Sequence, residues 1–162
     1  MEVAAEPRRR HWDSNVFLAW IKGESGRAEI CEAIVRKARN DDCVIITSAI
    51  TLAEVVRPRQ KGTIQMTEDE DKKIVAFFSN PFLRFVDLSP SLAARSRVLQ
   101  WKFNLGVRDA IHVVSAIAGQ ADVIETYDPD FSRVDISAVP DCPTIREPQT
   151  KRLPLFPEES EP

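Results

Sequence analysis

RDAIHVVSAIAGQADVIETYDPDF, residues 108–131, contains the clearest structural pattern in the chain. The residues after Asp109 are almost all apolar, which predicts a buried helix that ends near Gly119. The short apolar run Val123-Ile124 then predicts a strand, and Asp128 follows the end of that strand. One acid therefore opens the helix and another lies just beyond the strand.

The same alternation of strands and helices is present upstream. Val44-Ile45-Ile46 precedes a helix predicted from about Ala49, and Phe85-Val86 precedes one from about Pro90. Strands that alternate with helices form parallel sheets whose two faces are covered by the helices. The sequence therefore predicts an α/β fold, a three-layer α/β/α sandwich with a mainly parallel central sheet.

Capping residues support these boundaries. Ser48 and Ser89 each precede a predicted helix, and Pro90 takes the first helical position after Ser89. Residues 26–40 form an amphipathic pattern that ends at an asparagine, and Gly106 is expected to stop the helix that begins near Pro90.

Length and charge limit the class of protein. A chain of 162 residues is long enough for one core, and its 22 Lys plus Arg against 25 Asp plus Glu give a net charge of −3. No global basic field is present, so a nucleic acid would have to meet local basic patches. We expect one folded domain over residues 10–147, an N-terminal extension over 1–9, and a Pro-rich acidic tail over 148–162.

Cysteine usage and hydropathy indicate a cytoplasmic protein. Cys31, Cys43 and Cys142 are odd in number and lack a C-x-x-C spacing, which argues against a disulfide framework or a structural zinc site. No apolar run approaches the roughly 18 residues of a membrane span, and Arg8–Arg10 are not followed by the apolar run of a signal peptide.

Acidic residues fall where an α/β sheet presents its functional crevice, outside the carboxyl ends of the strands. Asp13 precedes an apolar segment at a strand-to-helix junction, Asp128 follows a strand, and Asp109 opens a helix that can point into the same crevice. Each acid also has an ordinary explanation, since aspartate is favoured both in first helical turns and in turns after strands.

Glu54 lies within Ile50–Val56, a stretch that a helix would largely bury. A buried carboxylate is costly unless it is paired, with Arg57 for example, or bound to a cation. Acids that converge repel one another, and Mg²⁺ or Mn²⁺ with its preference for oxygen ligands relieves that repulsion. Hydrolysis of a phosphodiester is the chemistry that such a site favours.

Four segments, residues 12–18, 47–55, 108–116 and 121–131, resemble in order and spacing the four motifs of the PIN-domain nucleases. Among these the chain is most similar to the VapC-type toxins of bacterial toxin–antitoxin pairs, over about residues 10 to 147. One departure is Pro7–His11, a polar segment where the first strand of such proteins is usually apolar. This strand is expected to be short or to begin late.

The resemblance implies an acidic quartet and a metal-dependent endoribonuclease. Asp13 and Asp109 would hold Mg²⁺ or Mn²⁺ directly, while Glu54 and Asp128 would do so directly or through water. Asp130 is the alternative to Asp128.

Further roles follow from the same resemblance. Ser14 and Asn15 fill positions where many members have Thr-Asn, and the resemblance also implies an RNA substrate, a homodimer and a cognate antitoxin. The residues proposed for RNA binding are Arg57, Arg59, Lys61 and Arg108, with Arg8–Arg10, Arg95, Arg97 and Lys102 as further candidates.

Other residues are expected to be structural. His112 faces apolar neighbours and is interpreted as a satisfied core histidine without a catalytic role. The tryptophans are expected in the core or at a dimer contact. Two other functions stay open: a catalytically silent PIN-like binding module, and an acid-cluster phosphatase, although Asn15 stands where such phosphatases typically carry a second acid.

Overall fold

The structure is a computed structural model that describes residues 6–56, 59–60, 63–64, 66–132 and 135–150, with the backbone alone at 59–60 and 63–64. The strands in chain order are β1 (Arg9–Trp12), β2 (Val44–Ser48), β3 (Arg59–Gln60), β4 (Thr63–Ile64), β5 (Leu83–Val86), β6 (Val123–Glu125) and β7 (Thr144–Arg146). Five of them form a sheet in the order β5-β2-β1-β6-β7, and all of its neighbouring strands run parallel. β3 and β4 form a separate antiparallel pair.

Helices cover both faces of this sheet. They are α1 (Ser14–Ile21), α2 (Arg27–Arg39), α3 (Thr51–Glu54), α4 (Glu68–Phe78), α5 (Pro90–Phe103), α6 (Val107–Ala118) and α7 (Pro129–Ser132). One core contains buried residues of α1, α2 and α4 around Trp12 and Phe17, and a second contains residues of α5, α6 and α7 around Val113 and Phe131. The predicted three-layer α/β/α fold is confirmed. Within the described residues, no helix combines the length and the apolarity needed to cross a bilayer.

The central strand β1 is polar, yet its last three residues are fully buried. Arg10, His11 and Trp12 are each 0% exposed, and alternation along the strand puts His11 on the opposite face from the other two. Trp12 lies beside Glu125 of β6 in the parallel register. The Arg10 guanidinium donates to Glu125 Oε1 at 2.7 Å and the Trp12 indole donates to Oε2 at 2.8 Å. Because these partners compensate the buried charge, a polar segment forms the predicted short first strand.

Of three residues expected to start or stop a helix, one does so as predicted and two do not. Ser89 caps α5 as predicted, since its hydroxyl accepts from the Leu92 amide at 3.2 Å. Ser48 is instead the last residue of β2, and α3 begins after Ile50. The prediction for Gly106 was also wrong: α5 ends at Phe103 because Asn104 adopts a left-handed conformation with φ of 54°, and Gly106 is the residue that precedes α6.

The packed structure reaches past β7. Pro148 is buried, and the carbonyl oxygen of Gln149 accepts a hydrogen bond from Arg10 at 3.1 Å. Residues 148 and 149 of the predicted tail therefore lie against the same buried arginine that anchors β1 to β6.

Candidate acidic metal site

The predicted acids lie at the carboxyl edge of the sheet. Asp13 directly follows β1, Asp128 follows β6, Glu54 is the last residue of α3, and Asp109 lies in the first turn of α6. They are close enough to interact electrostatically, because Asp109 raises the pKa of Asp13 while Asp128 and Glu54 raise that of Asp109, in each case in addition to the larger effect of burial. The fold thus brings four carboxylates from four separate chain segments to one place.

Asp13 is the most buried of these acids, with 3% of its surface exposed. Its Oδ1 accepts from the Val16 amide at 3.2 Å and caps α1, and its Oδ2 accepts from the Thr126 hydroxyl at 2.5 Å. Burial raises its pKa to about 6, despite the opposing effects of His112 and of the two hydrogen bonds. A structural capping role and a place in the acid cluster therefore coexist in this residue.

Glu54 is held from two sides. Its Oε2 lies 3.2 Å from Nε2 of His112, and its Oε1 lies 3.5 Å from Nε of Arg108. Burial alone would raise its pKa, but the hydrogen bond and charge of His112, the Ser14 hydroxyl and Arg108 together lower it. Oε1 is nevertheless buried without a hydrogen-bond partner. The suggested partner Arg57 lies outside the described residues.

The sequence argument for Glu54 was wrong in one respect. α3 is a single turn, and Leu52 beside it is 53% exposed, so the helix does not bury this stretch as a whole. Glu54 is shielded by α6 across the crevice, through His112 and Arg108, and not by its own helix.

Asp109 and Asp128 form the more open side of the cluster. The pKa of Asp109 is raised, first by burial and then by the negative charges of Asp128 and Glu54. Asp128 is half-buried, and its Oδ1 accepts from the amides of Asp130 at 2.9 Å and Phe131 at 3.4 Å. Asp130 is exposed. This geometry favours Asp128 over Asp130 as the fourth acid.

Ser14 and Asn15 lie on two sides of α1. Ser14 is 8% exposed and contributes to the lowered pKa of Glu54. Asn15 is exposed and lines a cavity of about 260 Å³ that Lys22, Arg27 and Asp128 also line. Basic side chains therefore lie directly beside the acid cluster.

The donor set fits a hard divalent cation, which prefers oxygen ligands. In the part of the chain that the structure describes, no three His, Cys, Asp or Glu side chains are close enough to hold an ion by themselves. Mg²⁺ usually keeps several waters and binds through one or two carboxylates, so this spacing is compatible with it. The orphaned Oε1 of Glu54 and the mutual repulsion at Asp109 are both features that a cation would relieve.

The site also contains a histidine pair that the sequence analysis did not predict. His112 is 2% exposed, and its Nδ1 lies 3.1 Å from Nε2 of His11. The interpretation of His112 as a satisfied core histidine is confirmed, since its other ring nitrogen meets Glu54. Burial and the proximity of His112 lower the pKa of His11 well below its usual value. The polar character of residues 7–11 was the available signal for His11.

The basic residues proposed for RNA binding separate into groups. The prediction that Arg10 binds RNA was wrong, because Arg10 is fully buried in an ion pair with Glu125. Arg9 donates to the carbonyls of Gly119 at 2.6 Å and Gln120 at 2.9 Å, so its guanidinium serves the fold. Arg108 lies beside Glu54 with 74% of its side chain exposed. Arg57 and Lys61 lie outside the described residues, as does the side chain of Arg59.

The three tryptophans differ in environment. Trp12 is in the core as expected, and Trp20 is half-buried and donates to Glu32 at 3.1 Å. Trp101 is 67% exposed, so it is not a core residue.

Comparison with protein families identifies the domain. The family model for the PIN domain matches residues 12–137. The chain belongs to the PIN domain family. This confirms the resemblance seen in the four acidic motifs. A sequence search of curated proteins gave no match.

Solved structures share this PIN fold. VapBC2 from Rickettsia felis, bound to a promoter DNA fragment, is 21% identical with a TM-score of 0.57 and matches over 85% of this chain and 97% of that one. VapC20 from Mycobacterium tuberculosis, a toxin that cleaves the sarcin-ricin loop, is 15% identical with a TM-score of 0.58 over 76% and 92%. A toxin–antitoxin complex from Klebsiella pneumoniae is 17% identical with a TM-score of 0.59 over 86% and 97%.

Proposed function

We propose that this PIN domain is a Mg²⁺- or Mn²⁺-dependent endoribonuclease and the cytoplasmic toxin of a toxin–antitoxin pair. The observation that carries the proposal is the unbalanced acid cluster, in which Asp128 and Glu54 add to the effect of burial in raising the pKa of Asp109 beside the buried Asp13. One of the similar structures is described as a toxin–antitoxin complex and another as a toxin that cleaves the sarcin-ricin loop, which supports the same function.

Each acid has a distinct role in this proposal. Asp13 and Asp109 hold the cation directly, and Glu54 and Asp128 complete its shell directly or through water. A bound divalent cation supplies an acidified water and neutralises charge that develops on phosphate oxygens. Thr126 and the start of α1 fix the carboxylate of Asp13, so its oxygens are preorganised before any ligand binds.

RNA must approach an acidic centre, so basic groups at its rim are needed. Arg108 meets this requirement because it is exposed and lies 3.5 Å from Glu54. Lys22 and Arg27, in the cavity beside Asn15 and Asp128, are placed for a backbone phosphate on the other side. Arg57, Arg59 and Lys61 stay predictions.

An apolar cavity suggests where the antitoxin docks. It has a volume of about 320 Å³ and lies between α1, α4 and the residues that directly follow Glu54. Leu18, Val55 and Phe77 line it, and Lys73 and Glu70 lie at its border. Phe77 lines this cavity, while its neighbour Phe78 is 7% exposed and belongs to the core. We propose that an apolar antitoxin segment fills this cavity and directs an arginine to the acids.

The homodimer also belongs to this proposal. Trp101 of α5 and Val107, the first residue of α6, are exposed at 67% and 57%, and we propose them as contacts between the two copies.

Cleavage of total cellular RNA by the purified, antitoxin-free protein tests the function. We expect discrete cuts with Mg²⁺ or Mn²⁺ that disappear with EDTA and with Asp13→Asn. Asp87→Asn is the matched control, because Asp87 is an exposed aspartate that follows the edge strand β5. Cuts that persist in Asp13→Asn, or a folded wild-type protein that cuts nothing, would contradict the proposal, and the second result would favour the silent binding module.

A further inference from the structure

The chain's two histidines meet in the core and form a line that ends at the acid cluster. His11 of β1 is 0% exposed, and its Nε2 lies 3.1 Å from Nδ1 of His112 on α6. Nε2 of His112 in turn lies 3.2 Å from Oε2 of Glu54. The outer nitrogen of His11, Nδ1, is buried without a partner.

Of the placements in which each ring carries one proton, one suits this line best. If His11 Nε2–H donates to His112 Nδ1, then His112 Nε2–H donates to the Glu54 carboxylate, and the orphaned Nδ1 of His11 is a bare acceptor. The reverse direction would turn a lone pair of His112 toward a carboxylate and bury an unpaired N–H at His11. An unsatisfied buried donor is the rarer and more costly of the two defects.

The two carboxylate oxygens of Glu54 have different environments. His112 occupies Oε2, whereas Oε1 is buried, has no hydrogen-bond partner and lies 3.5 Å from Arg108. A purely space-filling role does not account for this arrangement, because two apolar side chains would fill the volume without burying imidazole nitrogens.

We propose that His112 is a positioning residue that holds Glu54 through Oε2 and leaves Oε1 for a cation, and that His11 fixes the tautomer that makes this possible. The inference rests on the proposed function for the role of Glu54. The direction of the hydrogen bonds does not depend on it. When a group that supports a metal ligand is removed, the metal affinity or the activity of the site typically falls about 10- to 100-fold.

The proton placement is tested without metal or RNA. Long-range ¹H–¹⁵N spectra of the uniformly labelled, metal-free protein at pH 8 distinguish the three imidazole forms. We expect the proton of each ring to lie on Nε2, with Nδ1 of His112 accepting from His11. His11→Gln, which leaves His112 as the single histidine and keeps an amide donor toward it, assigns the signals. A His112 proton on Nδ1, or a doubly protonated ring at this pH, would overturn the inference.

The positioning role is tested with a matched pair of variants. His112→Gln places its amide donor near the position of Nε2, whereas His112→Asn places the same group near Nδ1 and cannot reach Glu54. We expect His112→Asn to lower Mn²⁺ affinity, followed by electron paramagnetic resonance, and kcat by about 10-fold or more with little change in KM for an RNA oligonucleotide. His112→Gln should retain both within about 3-fold of wild type.

The outcomes separate the two proposals. Equal losses in both variants, in step with a lower Tm, would show a structural histidine and overturn the positioning role, as would wild-type affinity in a folded His112→Asn protein. A wild-type protein that binds no Mn²⁺ would overturn the metal-dependent function and with it the role of Glu54 Oε1, while the spectra would still decide the direction of the hydrogen bonds.

Discussion

Two clusters of buried charge lie next to each other on β1 and β6, and they are built in opposite ways. Glu125 receives Arg10 at 2.7 Å and Trp12 at 2.8 Å, with Arg146 at 3.7 Å. Beyond the ends of the same two strands, Asp13 and Asp128 join two other acids, and the nearby arginine is a largely exposed one. The first cluster is balanced by the protein itself, and the second is the one for which we propose a cation.

The pKa shifts reflect this difference. Burial raises the pKa of both Glu125 and Asp13, but the largest effect that opposes it at Glu125 is the charge of Arg10. Asp13 has no such arginine, and its pKa reaches about 6. Burial therefore outweighs the opposing effects at both carboxyls, but Glu125 has a buried arginine as its partner and Asp13 does not.

The largest effect is expected from breaking the balanced cluster. Glu125→Gln leaves Arg10 buried without an opposite charge, so we expect a loss of about 3–5 kcal/mol in the free energy of unfolding, measured with urea. Glu24→Gln, in an exposed pair with Arg27, is the control and should cost less than about 1 kcal/mol. Similar small losses in both would show that the buried pair is not anchoring β1 to β6.

Removing a charge from the unbalanced cluster should stabilise the metal-free protein. Burial raises the pKa of Asp13 from its ordinary value of 3.8 to about 6, so the stability that the protonated form contributes is present below pH 4 and is lost as pH rises through 6. Asp13→Asn should therefore gain about 3 kcal/mol at pH 7 and nothing at pH 3.5. Urea unfolding at both pH values, with Asp87→Asn as the control, checks this. A destabilised Asp13→Asn protein at pH 7 would contradict it.

A divalent cation should compensate the second cluster. We expect Mn²⁺ at about 100 times its Kd to raise the free energy of unfolding of the wild type by about 2.7 kcal/mol. Asp13→Asn should show a much smaller rise at the same concentration, measured by thermal unfolding. An equal rise in both proteins would place the bound ion elsewhere.

The smallest effect on stability is expected at the exposed arginine. Arg108→Ala should change the free energy of unfolding by less than about 1 kcal/mol, because its side chain is 74% exposed. If Arg108 contacts RNA, its loss should raise KM and reduce the salt dependence of binding by about one counterion. Arg84→Ala, an exposed arginine on β5, should leave both unchanged. Identical RNA binding by the two variants would remove Arg108 from the interface.

Much of the fold followed from local patterns. The buried helix after Asp109, the strand at Val123 and the capped helix at Ser89 were all predicted, because each depends on periodicity or capping within a few residues. Gly106 and Ser48 were misassigned where several capping residues compete within one short segment. Near Gly106, the residue that ends α5 is Asn104, which adopts the left-handed conformation.

The acid positions were likewise predicted from the sequence, since parallel strands end at one edge of a sheet, Asp13 and Asp128 each follow a strand, and Asp109 begins a recognisable helix. What the sequence did not reveal were the partners of these residues. A run of arginines resembles a solvated surface, yet Arg10 is buried because Glu125 lies opposite it, 115 residues away along the chain. His11 likewise contacts a residue that is distant in the sequence, His112, which lies 101 residues away along the chain.

The sequence by itself therefore determined the alternation of strands and helices around β2, β5 and β6, the edge at which the acids collect and the family, since these depend on short-range periodicity and motif spacing. Only the tertiary structure decided which buried charges are paired, which oxygen of Glu54 is held and which arginines are exposed. Those outcomes depend on strand register and on contacts between distant segments, and neither is encoded in any single local pattern.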